Sequence, residues 1–281
     1  MVFKQIAERI LPPLLKHIPR NKAVLYPFYL AGHLEIRKDE IPLKRLPYPF
    51  YGLSIAYASD IHFGNYFTKD QAIMLCQQLL SLNADIVILG GDYGDNLENS
   101  ILFFQSIHPF PASTHVLAVL GNHDYGKKNE KISPLLDEMR EKNVIPLVND
   151  VWKLNREGKT LAVCAPDDIQ CGKPDFAALI EGSREADFVI FAPHSPDLLP
   201  EAFSSGFSFH LALCGHTHGG QIVLCGRSLH SSSRYGDRYR AGWYYENGAV
   251  IHVSSGVGTS ILPLRVGTRA EIHRFTLRIE Q

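Results

Sequence analysis

Short apolar runs alternate along this chain with segments in which apolar residues recur at helical spacing, from about Gly52 onward. The apolar runs of the first half have the length of strands and cover residues 53–58, 86–89 and 115–120. The helical patterns cover residues 69–82, 97–107 and a segment that begins at Ser133. Strands that alternate with helices in this way predict an α/β fold with a sheet that is largely parallel in the first half of the chain.

The second half of the chain is richer in predicted strands. Its apolar runs are Val151–Asn155, Thr160–Cys164, Phe188–Phe191, Leu211–Cys214, Val250–Val253 and Ile272–Ile279. Glu157 and Gly158 separate the first two runs and predict a hairpin turn. The middle runs are continuously apolar, which indicates a sheet covered on both faces. The last run alternates, which is typical of an outer strand.

Two helix starts carry capping signals. Thr68 and Gln71 have the spacing of a capping box, which predicts a helix from about residue 69. Ser133 and Pro134 predict a later helix with serine as its N-cap and proline in its first position.

Residues 1–50 are predicted to form a basic N-terminal arm, and residues 51–281 the main domain. The arm holds nine lysine and arginine residues against four acidic ones, in a chain whose net charge is −1. Apolar residues recur at helical spacing from Val2 to Ile10, and Pro12 ends that pattern. A basic arm on an acidic body favours an anionic surface such as lipid headgroups. A solvated arm is the alternative that the sequence leaves open.

The five cysteines favour a reducing compartment, because their number is odd, no CxxC pair occurs and several stand in apolar runs. We therefore expect the protein in the cytoplasm, and a peripheral position at the inner face of the membrane stays open. No stretch approaches the roughly 18–20 apolar residues of a membrane span. The uncharged segment 23–32 is short and lacks a clear cleavage site, so no secretory signal is expected. The net charge argues neither for nor against nucleic acid, and no stable nucleic-acid complex is expected.

Side chains that can bind metals follow five of the predicted strands, at the point where each strand ends. In chain order they are Asp60, His62, Asp92, Asn122, His194, His216 and His218. Ligand sites of α/β sheets lie beyond the carboxyl ends of the strands, so we expect these side chains to converge on one site. Taken singly, each of them is explained as a turn or cap residue. Their order at successive strand ends is what indicates a site.

The chain contains the strings SDIHFG, GGDYGD, GNHDY, APHSPD and GHTHGGQI, which resemble the signatures of the calcineurin-like metallophosphoesterase superfamily. The resemblance runs from about Leu53 to Leu277. It implies an α/β fold arranged as a four-layer α-β-β-α sandwich, with two mixed sheets and a metal pair at one edge. The later string VSSGVGTSILPLR resembles a branch of small bacterial phosphodiesterases that is related to the UDP-diacylglucosamine pyrophosphatases.

The resemblance also implies the ligands of two divalent metal ions. The first ion would be held by Asp60, His62 and His218, the second by Asn122, His194 and His216, and Asp92 would bridge both. Carboxylate, imidazole and amide donors without a thiolate cage suit manganese, with iron or zinc as alternatives. Two such ions can clamp a phosphate and supply a hydroxide for in-line attack on phosphorus.

His123 is implied as the catalytic group that protonates the leaving group or stabilises its developing charge. The resemblance assigns Asp95 or Asp124 to the orientation of its ring. For Asp124, a role as a helix cap or turn residue is the alternative.

Two departures from the family pattern bear on the substrate. Protein phosphatases of the superfamily carry an arginine after the aspartate that matches Asp95, whereas Asn96 follows here. This difference argues against a phosphoprotein substrate. Ala165 stands before Pro166 where the branch often has Gly-Val, so the role of Asp168 stays open.

Arg234 and Arg238 are candidates for substrate binding, because arginine forks bind phosphate and both stand among aromatic residues. A solvated loop pinned by the aromatic residues is the alternative.

The function predicted from the sequence is hydrolysis of a phosphodiester or pyrophosphate in a lipid-linked or nucleotide substrate, by a hydroxide that two metals activate. A phosphomonoesterase for small molecules is an alternative that the ligand set cannot separate from a diesterase. A non-catalytic scaffold that binds a membrane or a protein is a second alternative, and the complete ligand set argues against it. The oligomeric state stays open.

Overall fold

The computed structural model describes residues 34–64, 66–126 and 130–280. The helical pattern predicted from Val2 to Ile10 lies outside these residues, as does most of the predicted arm, so its association with a membrane stays a prediction. Within the described part of the chain, no helix has both the length and the apolar character that a membrane crossing requires.

Six strands form the first sheet. In spatial order they are β1 (Glu35–Leu43), β14 (Glu271–Ile279), β2 (Ser54–Ala58), β3 (Ile86–Leu89), β4 (His115–Ala118) and β5 (Ile145–Pro146). Strands β2 to β5 are parallel to one another, β14 is antiparallel to β2, and β1 is parallel to β14. The sheet is therefore mixed, with a parallel half built from the first part of the chain as predicted.

A second sheet of six strands is built from the later part of the chain. In spatial order they are β12 (Gly242–Glu246), β13 (Ala249–Val253), β9 (Leu211–Cys214), β8 (Phe188–Phe191), β7 (Lys159–Ala165) and β6 (Asp150–Arg156). The four inner strands are parallel, and the two edge strands are antiparallel to their neighbours. The predicted hairpin at Glu157 and Gly158 is confirmed as the turn between β6 and β7. Strands β10 (Val223–Leu224) and β11 (Arg227–Ser228) form a separate hairpin.

Helices cover the outer faces of both sheets. They are α1 (Lys69–Ser81), α2 (Leu97–Ser106), α3 (Ser133–Glu141), α4 (Phe176–Ser183) and α5 (Leu199–Ser204). Short 3-10 helices occupy Tyr48–Phe50, Asn122–Asp124, Pro196–Leu198, His218–Gly220 and Gly236–Tyr239. The predicted capping box of Thr68 and Gln71 is present at the start of α1. Ser133 is the first residue of α3 and not its cap, because the chain already turns at Ile132.

The two-residue period of the strands sorts their side chains into separate cores. In β2, Ile55 and Tyr57 face the second sheet and lie in one buried cluster with Leu161 and Phe188. Ala56, one residue along the strand, lies in a different cluster together with side chains of α1, α2 and α3. A third cluster joins the outer face of the second sheet to α4 and α5. These three cores confirm the four-layer α-β-β-α sandwich.

Two predictions about the ends of the chain are wrong. The boundary at residue 50 is too late, because Glu35–Leu43 is an edge strand that pairs along its whole length with β14. For the same reason, β14 is not an outer strand but lies between β1 and β2. The alternation in β14 reflects partial cover of one face, since Arg274, Thr276 and Arg278 are half-buried.

The acidic side chain that ties β1 to the sandwich predicts how stability depends on pH. Glu271 is buried and contacts Arg37 of β1 at 2.8 Å, the backbone N–H of Ser255 at 2.7 Å and His273 at 3.5 Å. Burial opposes its ionisation, but these partners outweigh burial and lower its pKa to about 2. A carboxyl group whose pKa is lowered in the folded state stabilises the protein above its unfolded pKa, by about 3 kcal/mol here. That contribution is lost as the pH falls from about 5 towards 2.

We expect Glu271→Gln to lower the free energy of unfolding at pH 7 and to flatten its fall between pH 5 and pH 3. Urea denaturation at a series of pH values measures both effects. Glu157→Gln is the matched control, because it changes an exposed glutamate in the β6–β7 turn. If the free energy of unfolding of Glu271→Gln falls between pH 5 and pH 3 as steeply as that of the unsubstituted protein, Glu271 contributes nothing to the pH dependence.

Candidate metal centre

Five strand ends meet at one edge of the sandwich. Strands β2, β3 and β4 of the first sheet, and β8 and β9 of the second, are followed directly by the seven predicted ligands: Asp60, His62, Asp92, Asn122, His194, His216 and His218. The two sheets are joined at this edge because the backbone N–H of His216 donates to the Asp60 carboxylate at 2.9 Å. The predicted convergence of these residues is therefore what the fold produces.

Two buried groups of possible ligand atoms form within this set. The first contains Asp60, His62 and His218, and the second contains Asp92, His194 and His216, with the atoms of each group within 4.8 Å of one another. One oxygen of Asp92 lies 3.2 Å from Nε2 of His194 and 3.7 Å from Nε2 of His62. A single carboxylate oxygen thus stands between the two groups.

Hydrogen bonds to the outer ring nitrogens fix how the imidazoles point. Nδ1 of His194 lies 2.7 Å from the carbonyl oxygen of Gly90, and Nδ1 of His62 lies 3.2 Å from the Asp95 carboxylate. A proton on Nδ1 satisfies either contact and leaves a lone pair on Nε2. His216 is turned round, since its Nε2 lies 3.3 Å from the carbonyl oxygen of Ser232 and its Nδ1 is left for a ligand bond.

Five of the seven residues have a left-handed backbone. The φ angles are 56° for Asp60, 52° for His62, 55° for Asp92, 69° for His216 and 51° for His218. Such angles are uncommon outside glycine and are found where the surrounding structure enforces them, above all at functional sites.

Glycines make this backbone geometry possible by leaving no side chain in the way. A Cβ at Gly121 would collide with the Asp92 carboxylate, and one at Gly256 would stand 2.6 Å from Cβ of Asp60. Gly256 also has a φ of +71°, so its position excludes other residues for two reasons.

Charge within the centre favours a cation. Burial lowers the pKa of His216 and, together with the neighbouring imidazole of His62, the pKa of His218, so both rings are neutral and have lone pairs to donate. Burial also opposes protonation of His62 and His194, but nearby aspartates outweigh it and raise their pKa. The negative charge that raises these pKa values is the charge that would attract a divalent ion.

The donor atoms themselves fit a pair of divalent metals. Among the described residues, the buried Oδ1 of Asn122 has no hydrogen-bond partner, and the buried Nε2 of His194 faces the Asp92 carboxylate at 3.2 Å without a hydrogen bond, which is costly unless a ligand satisfies both atoms. Nε2 of His62 and Nε2 of His218 lie 3.1 Å apart, as two donors that face one cation do. Imidazole, carboxylate and amide donors suit first-row divalent ions. The two groups form a dinuclear site for divalent metals.

The predicted roles of Asp95 and Asp124 need correction. Nδ1 of His123 lies 3.0 Å from the backbone oxygen of Asp95, so a carbonyl and not a carboxylate orients this ring. The Asp95 carboxylate faces His62 instead. Asp124 is fully buried and accepts hydrogen bonds from the backbone N–H groups of Asp92, Tyr93 and Gly121 and from the Ser100 hydroxyl: these contacts measure 2.7, 2.9, 2.9 and 2.7 Å. It is a positioning residue that holds the loop after β3 against the loop after β4.

Both predicted substrate arginines are paired with carboxylates. Arg238 donates to Glu246 at 2.7 Å and lies over the ring of Tyr239, so it joins the turn at residues 236–239 to β12. We assign Arg238 to the structure of this edge. Arg234 contacts Asp197 and Glu201 at 3.5 Å. It stays a predicted substrate residue because Ser232, two residues before it, contacts His216.

Three residues near the centre were not assigned a role from the sequence. Arg265 is buried and donates to the carbonyl oxygens of His218, Gly256 and Gly258, at 3.2, 3.2 and 3.0 Å. The side chain of Gln170 lies 3.1 Å from Nε2 of His216, and Asp168 accepts from the N–H of Gln170 at 2.8 Å. A lone arginine in a run of apolar residues is the signal for Arg265, but Gln170 has no signal in the sequence.

Comparison with known proteins agrees with this geometry. The profile of the family described as calcineurin-like phosphoesterase matches residues 53–220. The uncharacterized metallophosphoesterase YkuE of Bacillus subtilis is 28% identical over 259 residues, which are 90% of this chain and 89% of that protein. An uncharacterized metallophosphoesterase of Aquifex aeolicus is 27% identical over 253 residues, 87% of this chain and 92% of the other.

A third relative is longer than this chain. The transmembrane protein with metallophosphoesterase domain of Bos taurus is 27% identical over 256 residues, which cover 85% of this chain and 56% of that protein. The chain belongs to the calcineurin-like phosphoesterase family, and it is a metal-dependent phosphoester hydrolase.

The contacts of Asp124 predict a loss of stability when its carboxylate is removed. Asp124→Ala leaves three buried N–H groups and one hydroxyl without their acceptor, so we expect the free energy of unfolding to fall by about 3 kcal/mol or more. Urea denaturation measures this change. Unchanged stability together with lost turnover would indicate that the catalytic role predicted from the sequence is the better one.

The contact between Asp95 and His62 predicts an effect on metal binding. Groups that orient a ligating imidazole contribute about 10–100-fold to metal affinity, so we expect a loss of that size in Asp95→Asn. Calorimetric titration with Mn²⁺ measures it, and Asp70→Asn, at an exposed position in the first turn of α1, is the control. Equal affinities for Asp95→Asn and the control would contradict the proposed orientation.

Proposed function

We propose that the protein is a phosphodiesterase or pyrophosphatase for a lipid-linked or nucleotide substrate, with manganese as its metal. The seven residues at the strand ends are the proposed ligands, with Asp92 as the bridge, and His123 is the proposed acid. The observation that carries the proposal is the position of one Asp92 oxygen between two buried groups of donors.

The chemistry is divided between the metals and the protein. Two bound divalent ions would neutralise the charge of the phosphate and activate a water molecule. The protein orients the donors, as described above, and excludes bulk water from six of the seven predicted ligands, which are buried. Low local polarity strengthens every charge interaction with the phosphate.

We assign to His123 the transfer of a proton to the leaving group, and its contacts support this role. Its backbone N–H donates to the Asp92 carboxylate at 2.8 Å, which fixes the residue beside the proposed bridge. The contact between Nδ1 and the carbonyl oxygen of Asp95 leaves Nε2 as the nitrogen that can pass a proton to a leaving oxygen. The ring is half-buried, so a substrate can reach it.

The proposed preference for a diester rests on the residue that follows Asp95 in the sequence. Asn96, which stands where related protein phosphatases have arginine, accepts a hydrogen bond from the N–H of Asn99 and caps α2. This position therefore offers no guanidinium group for the dianion of a phosphomonoester or a phosphoprotein. A diester carries a single negative charge and needs less compensation beyond two divalent ions.

The first test is hydrolysis of bis(p-nitrophenyl) phosphate by the purified full chain in Mn²⁺. We expect turnover that a chelator abolishes, and a loss of at least about a thousandfold in Asp92→Ala, because the metals depend on this carboxylate. Hydrolysis of p-nitrophenyl phosphate in parallel compares diester with monoester. No turnover with Mn²⁺, Fe²⁺ or Zn²⁺ would contradict the proposal and favour a scaffold.

The second test concerns His123 alone. A general acid contributes about 10²–10⁴-fold, and it matters most where the leaving group is a poor one. We expect His123→Ala to lose far more activity on a phenyl or alkyl diester than on the p-nitrophenyl diester. Equal losses on all leaving groups would assign His123 to metal or substrate positioning.

Screening the purified protein against UDP-diacylglucosamine, phospholipids and cyclic nucleotides then identifies the substrate class.

A further inference from the structure

A hairpin projects from the rim of the metal centre. The chain leaves the centre at His218 and returns to it at Ser232, whose carbonyl oxygen contacts His216. Strands β10 and β11 lie between these points and are joined by Cys225 and Gly226. Both turn residues have positive φ, 50° and 79°, as in the tight two-residue turn of a hairpin. The hairpin is therefore a well-defined projection and not an irregular loop.

A second loop is bonded to the base of this hairpin. The side chain of Gln221 accepts from the N–H of Ser260 at 2.8 Å and donates to the carbonyl oxygens of Ser260 and Leu262 at 2.9 and 3.0 Å. The backbone N–H of Val223 donates to the oxygen of Val266 at 2.8 Å. Residues 222–230 and 260–266 therefore form one continuous surface, which we call the rim surface.

The rim surface exposes large apolar side chains. Leu224 is 51% exposed, Leu229 is 66% exposed and Ile261 is 36% exposed. Ile261 also has a φ of +63°, which is a strained conformation for a β-branched residue. Single exposed apolar residues are ordinary, but three on two joined loops beside a catalytic centre indicate a binding surface.

The exposed charged side chain of the rim surface is basic. No aspartate or glutamate occurs in residues 221–234 or 254–270, although the whole chain has a net charge of −1. Arg227 is exposed on the hairpin. The acidic side chain that contacts the hairpin is Asp237, and it accepts hydrogen bonds from Ser228. Apolar tips beside an exposed arginine fit a surface that is anionic outside and apolar inside.

The N-terminal segment joins the fold at the same edge. Strand β1 begins at Glu35, whose N–H donates to the oxygen of Ala270 at 2.9 Å, four residues after Val266 of the rim surface. The 33 residues before the described chain contain five lysines and arginines and one acidic residue, Glu8, together with several aromatic residues. Their sequence combines the basic and apolar residues that bind at the interface of an anionic membrane.

We propose that the rim surface docks on an anionic lipid bilayer and thereby turns the metal centre towards the membrane. Leu224, Leu229 and Ile261 enter the headgroup region, and Arg227 contacts lipid phosphates. The proposal adds a partner to the hydrolase proposed above. Its physical basis is the exposed apolar area, the absence of acidic residues in the sequence of both loops, and the basic sequence that precedes β1.

Flotation of the purified full chain with lipid vesicles tests the proposal. We expect binding to vesicles of phosphatidylcholine with about one third phosphatidylglycerol, and weaker binding to phosphatidylcholine alone or at high salt. The double variant Leu224→Ser with Leu229→Ser removes both exposed leucines of the hairpin. We expect its partition coefficient to fall about tenfold or more, because each leucine loses much of its transfer free energy.

The matched control removes two exposed apolar residues elsewhere. Met74→Ser with Leu102→Ser changes exposed positions on α1 and α2, and we expect vesicle binding to be unchanged. The hairpin variant should hydrolyse a soluble aryl diester at the rate of the unsubstituted protein, which shows that it is folded. Asp92→Ala should still float, so a failure of the hydrolase function and a failure of docking give different results.

Three results would overturn the proposal. One is the absence of binding to anionic vesicles, and another is equal binding by the hairpin variant and the unsubstituted protein. The third is a dimer in solution that the hairpin variant dissociates, which would assign the rim surface to contact between two copies of the chain.

Discussion

The carboxylate of Asp92 is the group on which the rest of the centre depends. It is buried, and a buried carboxylate is stable only where opposite charge and hydrogen bonds compensate it. Imidazoles that follow strands of both sheets lie close to one of its oxygens, and the backbone N–H of His123 donates to the other. The backbone N–H of Asp92 donates in turn to the Asp124 carboxylate. Two sheets from separate parts of the chain must lie face to face for these contacts to form. The sandwich is the frame that makes a concentrated set of buried charges possible.

This arrangement has a cost in backbone strain. A left-handed conformation costs a residue other than glycine about 1–2 kcal/mol, and five of the seven predicted ligands adopt it. The three apolar cores supply the stability that offsets this cost. Glycines at close approaches, and the buried guanidinium of Arg265 on three carbonyl oxygens, hold the loops where the strands end. Packing in the sheets thus offsets the free-energy cost of the strained backbone at the strand ends.

The sequence was sufficient for the features that depend on order along the chain. The ligand positions follow apolar runs, and the ends of parallel strands converge, so the site could be predicted before any contact was known. Strand β1 could not, because its sequence EIRKDEIPL is mostly charged and becomes a strand only by pairing with β14. The roles of Asp95 and Asp124 were also out of reach, since the sequence does not reveal that the backbone oxygen of Asp95 faces His123, that its carboxylate faces His62, or that Asp124 accepts from backbone N–H groups. Arg238 looked like a phosphate ligand because its partner Glu246 lies on a strand that the sequence did not reveal.

The pairing of β1 with β14 has a consequence for how the chain acquires its structure during synthesis. The first sheet joins residues 35–43 to residues 271–279, so it is completed only when nearly the whole described chain has left the ribosome. Until then β1 lacks the neighbour that its pairing requires, and the edge of β2 is open to other chains. Metal uptake is delayed as well, since His194, His216 and His218 belong to the later half. A nascent chain of this protein therefore has a long interval in which it needs protection from aggregation and cannot yet bind its ions.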